Sequence, residues 1–300
     1  MTNQTEYDDT ESDTEWWENL SEYFEQRIIS SVILFIGILG FMGNGIVLWF
    51  LCFCIKRNSF TVYILNLAVA DIGVLITMTI FFAVGSASSM FIYVELIIFT
   101  YSTSQFLLTV ISIDRCVCVL FPIWHRLHRP SHLSTIVCAV IWVLSFLLNG
   151  THYILLKTEI LGNDHHLMFY QFFVNALLCV PLMIVSTLTL FIKVCFKSQQ
   201  RQRGRLLTAI LLTLLFFLLF AFPLNASYLV FTLYTNSLAS PMRYGLLCAS
   251  LNSSINPFIY FLVGRKKSQS RESMKAMLWR ILEAEEGHRE GEQISIQTQL

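Results

Sequence analysis

Charge is scarce in this chain. Only 13% of its 300 residues are Asp, Glu, Lys or Arg, about half the roughly 25% of a soluble domain. Mean hydropathy is +0.61, with 55% hydrophobic residues. Length alone would suggest two soluble domains, but the apolar runs argue for one membrane bundle. Catalytic equipment is also lacking. No Ser/His/Asp set, metal cluster or phosphate loop stands out, which argues against an enzyme, and nothing points to nucleic acid as a partner. His165 and His166 are adjacent, have no nearby cysteine and read as loop residues. An internal repeat or paired broken helices would suggest a secondary transporter using Asp71 as a cation site; neither is visible. No cysteine follows Cys248, which excludes palmitoyl anchoring of the C-terminal segment.

Seven apolar stretches are present, near 28–54, 61–86, 91–121, 133–156, 168–196, 206–234 and 242–263. A bilayer core of about 30 Å needs ~20 apolar residues per helix. Lipid offers no hydrogen-bond partner to the backbone, so each stretch is expected to be a helix. The expected fold class is an all-α membrane protein, a seven-transmembrane helix bundle.

Base distribution gives the orientation. With the N-terminus outside, the outer segments hold only Arg27, Lys157 and Arg243, and the other seventeen bases lie inside. The N-terminus is therefore expected outside, with the first helix acting as signal anchor. All eight cysteines then fall in or beside helices, which leaves no pair for an outer disulfide. Three regions follow: 1–27 as a disordered acidic extracellular tail, 28–263 as the transmembrane domain and 264–300 as a cytoplasmic segment. Nine acids precede the first base in the tail, which has too little apolar surface to fold alone. Its sequons at Asn3 and Asn19 are expected glycan sites. After Gly264, Met274, Met277, Leu278, Ile281 and Leu282 follow helical spacing among bases, as in an amphipathic helix on the inner leaflet. The terminal Thr298 and Leu300 fit a PDZ-type ligand, so a non-signalling scaffold working through its C-terminus is a rival reading.

The polar residues within the apolar stretches carry the functional signal. Asp114 and Arg115 interrupt "LLTVISIDRCVCVLFP" at the inner end of the third stretch. An unpaired charge at mid-bilayer costs about 3 kcal/mol, so such residues are usually paired and functional; the bland alternative at a boundary is a snorkelling anchor. "LNLAVAD" places Asn66 and Asp71 in the second stretch, "GNG" places Asn44 in the first, and "NSSINPFIY" supplies Asn252, Ser253, Asn256, Pro257 and Tyr260 in the seventh. Pro257 frees a backbone carbonyl. The expectation is a polar cluster inside the bundle, around Asp71.

Asn44, "LNLAVAD", Asp114-Arg115, Trp142, Pro181, Pro223 and "NPFIY" occur once each, in order. This set resembles the rhodopsin-like G-protein-coupled receptors over about residues 28–285. "RNSFTVYILNLAVADI", "FPIWHRLHRP", "CAVIWVLSFLL" and "NSSINPFIYFLVG" are similar to the Mas and Mas-related subfamily. The resemblance implies coupling to heterotrimeric G proteins from the plasma membrane, with Arg115 released on activation, Asp114 as its local partner and Tyr260 swinging inward. It implies a sodium pocket of Asp71, Ser104, Asn252, Ser253 and Asn256, with sodium as an allosteric ion and no other cofactor.

Departures from that pattern matter. Both cysteines of the family's outer disulfide are missing, and Ala221 replaces a tryptophan of helix six. Arg203 stands where an acid usually restrains Arg115, and Thr189 stands where a tyrosine would meet Tyr260. Raised basal activity is expected. Ile97 replaces the aspartate of amine receptors, which argues against a monoamine. Glu95, Glu159 and Asp164 make the outer face negative and would attract a cationic peptide or small amphiphile. Tyr101, Asn225 and Tyr228 match positions that usually line the ligand pocket. On the inner face, Lys197, Arg201, Arg203 and Arg205 would attract anionic lipid.

Overall fold

The computed structural model describes residues 4–54, 58–84, 90–130, 132–158, 175–196 and 239–264, with parts of 211–227. Its long helices are α1 (Gln4–Phe53), α2 (Ser59–Val84), α3 (Met90–Leu120), α5 (Leu133–Thr158), α6 (Val180–Phe196) and α7 (Ala239–Gly264). A short helix, α4 (Pro122–Leu127), follows α3, and a single π-helical turn, Asn175–Cys179, leads into α6. Of the sixth stretch, the described residues are helical, including 223–227. Among the described residues, five segments are long and apolar enough to cross a bilayer: Asn19–Phe53, Ser59–Ala83, Ile92–Leu120, Leu133–Thr151 and Asn175–Ile192.

Helix α1 begins far before the expected start near residue 28. The acidic segment expected to be disordered is helical from Gln4 onward. Two interactions favour this outcome. Acids near a helix N-terminus oppose its dipole, and Glu22 Oε1 accepts from both Arg243 Nη1 and Nη2 of α7 at 3.2 Å, with Glu25 at 3.8 Å. Glu22 is half exposed, so this pair adds little stability by itself. Asn19 is exposed on α1; Asn3 lies outside the described residues.

Helix α3 is the central post. Its membrane window is 78% buried, against 22% for α5. One core cluster joins Leu51 of α1, Tyr63 and Leu67 of α2, Leu107 and Ile111 of α3, and Met183 of α6. A second joins Ile33, Met78, Tyr101, Leu224 and Ala249 nearer the other end. Phe35, Val143 and Phe146 point outward, as lipid contact allows.

Lipid tails are as apolar as leucine, so close backbone approach matters more here than apolar burial. Gly40 lets α1 reach α7: a Cβ there would lie 2.7 Å from Leu75 Cδ1 and 2.8 Å from Ser254 Cβ. Gly40→Val is therefore expected to destabilise the receptor by about 1–3 kcal/mol. Thermal melting of purified receptor checks this, and an unchanged midpoint would contradict the packing described.

Candidate functional site

Two polar centres lie along α3. The first is around Asp71, which is fully buried. Ser104 Oγ of α3 donates to its Oδ1 at 2.8 Å, and Asn256 Nδ2 of α7 donates to its Oδ2 at 2.8 Å. Ser253 lies close by, but outside hydrogen-bond geometry, and Asn252 Nδ2 has no hydrogen-bond partner among the described residues. Both donors to Asp71 are neutral, so they do not cancel its charge. A buried carboxylate beside the hydroxyl oxygens of Ser104 and Ser253 is a donor set that would fit a sodium ion, with Asp71 as the charged ligand. All five expected pocket residues are buried, and Ser104, Ser253 and Asn256 gather at Asp71.

Pro257 shapes the same region. It lacks the N–H that would bond the Ser253 carbonyl. Asn44 Nδ2 donates to that oxygen at 2.9 Å, and to its own Gly40 carbonyl at 3.0 Å. Gly43 gives the room, since a Cβ there would meet Pro257 Cβ at 3.1 Å. The "GNG" of α1 therefore heals the break that "NP" makes in α7. Trp142 Nε1 donates to Asn66 Oδ1 at 3.0 Å, which ties α5 to α2.

The second centre is at the Arg115 end of α3. Arg115 Nη2 lies 3.1 Å from Asp114 Oδ2, with both side chains at most 10% exposed. The expected local pair is present, with additions that sequence reading missed. Arg129 Nη2 lies 2.8 Å from Asp114 Oδ1 and donates to Ser134 Oγ at 2.8 Å. His125 Nε2 lies 3.6 Å from Asp114 Oδ1. The face of Phe60 covers the Arg115 guanidinium at 4.1 Å. Helix α4 makes this possible: Pro122 starts it, and it folds "PIWHRL" back so that His125 returns to α3. The signal available in sequence was the "HRLHR" basic run itself, read only as part of a family resemblance.

His125 sits between opposing demands. Asp114 and Cys118 hold its ring protonated and push its pKa up to about 9. The Arg129 Nη1 group, 3.0 Å from Nε2, favours the bare nitrogen. The carboxylate is shared by both bases and sets the direction. A raised His pKa means stability that is complete below the ordinary value of 6.5 and lost as pH rises through about 9. The melting difference between wild type and His125→Gln should therefore shrink across that window. A difference that grows with pH would contradict the assignment.

Of the ligand-pocket residues, Glu95, Tyr101 and Asn225 are at most 5% exposed. Tyr101 packs among Ile97, Leu224 and Ala249, between helices rather than on an open wall. Glu159, Asp164 and Tyr228 lie outside the described residues, as do Arg203, the C-terminal amphipathic segment and the chain end. Tyr260 falls on α7.

The model of the seven-transmembrane receptor (rhodopsin family) matches residues 43–260. Proto-oncogene Mas of Rattus norvegicus is 37% identical over 294 residues, covering 90% of each chain. Mas-related G-protein coupled receptor member H of Rattus norvegicus is 38% identical, covering 93% of this chain and 90% of the relative. Member D of Homo sapiens is 37% identical over 80% of each. The second and third of these relatives are named as G-protein coupled receptors. With Asp71, Asp114-Arg115 and Asn256-Pro257 in place along three helices of one bundle, the chain belongs to the rhodopsin family of seven-transmembrane, G-protein-coupled receptors, among its Mas and Mas-related members.

Proposed function

We propose that this receptor carries an extracellular signal to heterotrimeric G proteins with its N-terminus outside, and that its ligand is a cationic peptide or small amphiphile. The observation that carries the coupling half is Arg115: a cation with a 3% exposed side chain, at the end of α3, between Asp114 and Phe60. It is a charge stored where the bundle can open, and a bistable element of this kind can be biased from a distant site. Ligand binding would shift the sixth stretch outward and expose Arg115 to the Gα C-terminal helix, with Pro257 and Tyr260 moving on α7. Basal activity is part of the proposal, because Arg203 and Thr189 replace two usual restraints.

Support for a cationic ligand comes from the outer acids Glu95, Glu159 and Asp164 and from the acidic tail. Glu22 and Glu25 are engaged with Arg243, which leaves the other tail acids to supply the field. Sodium at Asp71, glycans at Asn3 and Asn19, anionic lipid at the inner bases and a PDZ partner at Thr298 and Leu300 belong to the same proposal. The test is Gα recruitment in cells, first without ligand and then with a panel of basic and acidic peptides. Recruitment driven by basic peptides is expected; a response confined to acidic peptides would overturn the ligand class.

A further inference from the structure

One described neighbour of Arg115 is not an ion. The Arg115 guanidinium carbon lies 4.1 Å from the centroid of the Phe60 ring, and Phe60 is 2% exposed. The ring's placement is fixed locally. Asn58 Oδ1 accepts from the Phe60 N–H at 3.0 Å and the Thr61 N–H at 2.8 Å, capping the first turn of α2. On the other side, Asp114 is divided. Its Oδ2 faces Arg115 at 3.1 Å, while Oδ1 faces Arg129 at 2.8 Å and His125 at 3.6 Å. One carboxylate thus answers three basic groups, and Arg129 holds it more closely than Arg115 does. Arg203 stands where the family pattern has an acid to restrain this arginine.

We infer that Phe60 is the positioning residue that holds Arg115 in the resting receptor, and that losing this stack frees Arg115 for the G protein. This rests on the coupling role proposed for Arg115. An aromatic face attracts a cation through its quadrupole, more strongly once water is excluded. The flat, delocalised guanidinium suits such stacking better than an ammonium. The level of basal activity is then set by the ring of Phe60, in place of an acid on the sixth stretch.

The experiment compares ligand-free Gα recruitment at matched surface density for wild type, Phe60→Leu, Phe60→Tyr, and Phe60→Leu combined with Arg115→Ala. Leucine keeps apolar bulk without a ring face; tyrosine keeps the face. Phe60→Leu should raise recruitment roughly three- to tenfold, Phe60→Tyr should match wild type, and the rise should vanish without Arg115. Phe60→Met, unbranched and without a ring, stands in if the leucine variant fails to reach the surface. Recruitment by Phe60→Leu at or below wild type overturns the inference. So does a rise in Phe60→Tyr equal to that in Phe60→Leu, which would assign Phe60 to packing alone. Failure of the coupling role looks different: no variant recruits any Gα and removing Arg115 changes nothing, which overturns both.

Discussion

Arg115→Ala is expected to lower Gα recruitment at least about tenfold at matched surface expression, a loss of about 1.4 kcal/mol or more of coupling free energy. Two features make the result informative. The fold should survive, because Asp114 keeps Arg129 at 2.8 Å and His125 at 3.6 Å when Arg115 is gone. A buried carboxylate left with no cation would be far more costly, at about 3–5 kcal/mol. The loss should also be complete with respect to ligand, since no second cation occupies the same place on α3. Cell-surface labelling together with recruitment separates the two effects. Equal recruitment by wild type and variant would remove Arg115 from the mechanism and turn the reading towards a scaffold.

The second large effect is expected at Asp71. If sodium sits on this carboxylate, purified wild type should melt higher in sodium chloride than in choline chloride at equal ionic strength. Sodium at ten times its dissociation constant stabilises the folded state by about 1.4 kcal/mol. Asp71→Asn should abolish the difference while retaining the fold, since an amide can accept from Ser104 or from Asn256 but carries no charge. The geometry gives the reason for so sharp a change. Ser104 and Asn256, each at 2.8 Å, are neutral, and they orient the carboxylate without balancing it. A wild type indifferent to sodium would assign a proton to Asp71 instead. That proton would then be the species coupling α2, α3 and α7.

The spans were legible because a bilayer sets their length. The stretches at 61–86, 91–121 and 133–156 correspond to Ser59–Val84, Met90–Leu120 and Leu133–Thr158, since water and lipid meet the chain at those boundaries. The Asp71 cluster was also legible, because isolated polar residues on apolar helices have few places to go except towards one another. Other features lack such a constraint. Helix α4 has six residues, too few for periodicity to show. The Phe60 stack joins residues 55 positions apart through tertiary packing, and a phenylalanine in an apolar run carries no sign of its face. Asn44 was singled out, but its service to the Ser253 carbonyl required the relative placement of α1 and α7. At the tail, composition suggested disorder, whereas continuity with α1 and the Arg243 contact favour helix. Tyr101, matched to a pocket position, is buried between helices, because residue position on a helix does not reveal how far neighbours close over it.

The energetics make release of Arg115 a switch that a ligand can work. A cation–π contact of this kind is worth about 0.7–1.4 kcal/mol, roughly a three- to tenfold bias on its own. Moving a receptor from 1:99 to 99:1 takes about 5.5 kcal/mol of differential binding. The stack and a divided ion pair together fall within what one extracellular ligand can supply.

The most direct measurement is a structure of this receptor bound to a heterotrimeric G protein, read at one side chain. The account predicts that Arg115 has left the Phe60 ring and Asp114 and contacts the Gα C-terminal helix, with the sixth stretch displaced outward. Arg115 still stacked on Phe60 in a fully engaged complex would contradict it.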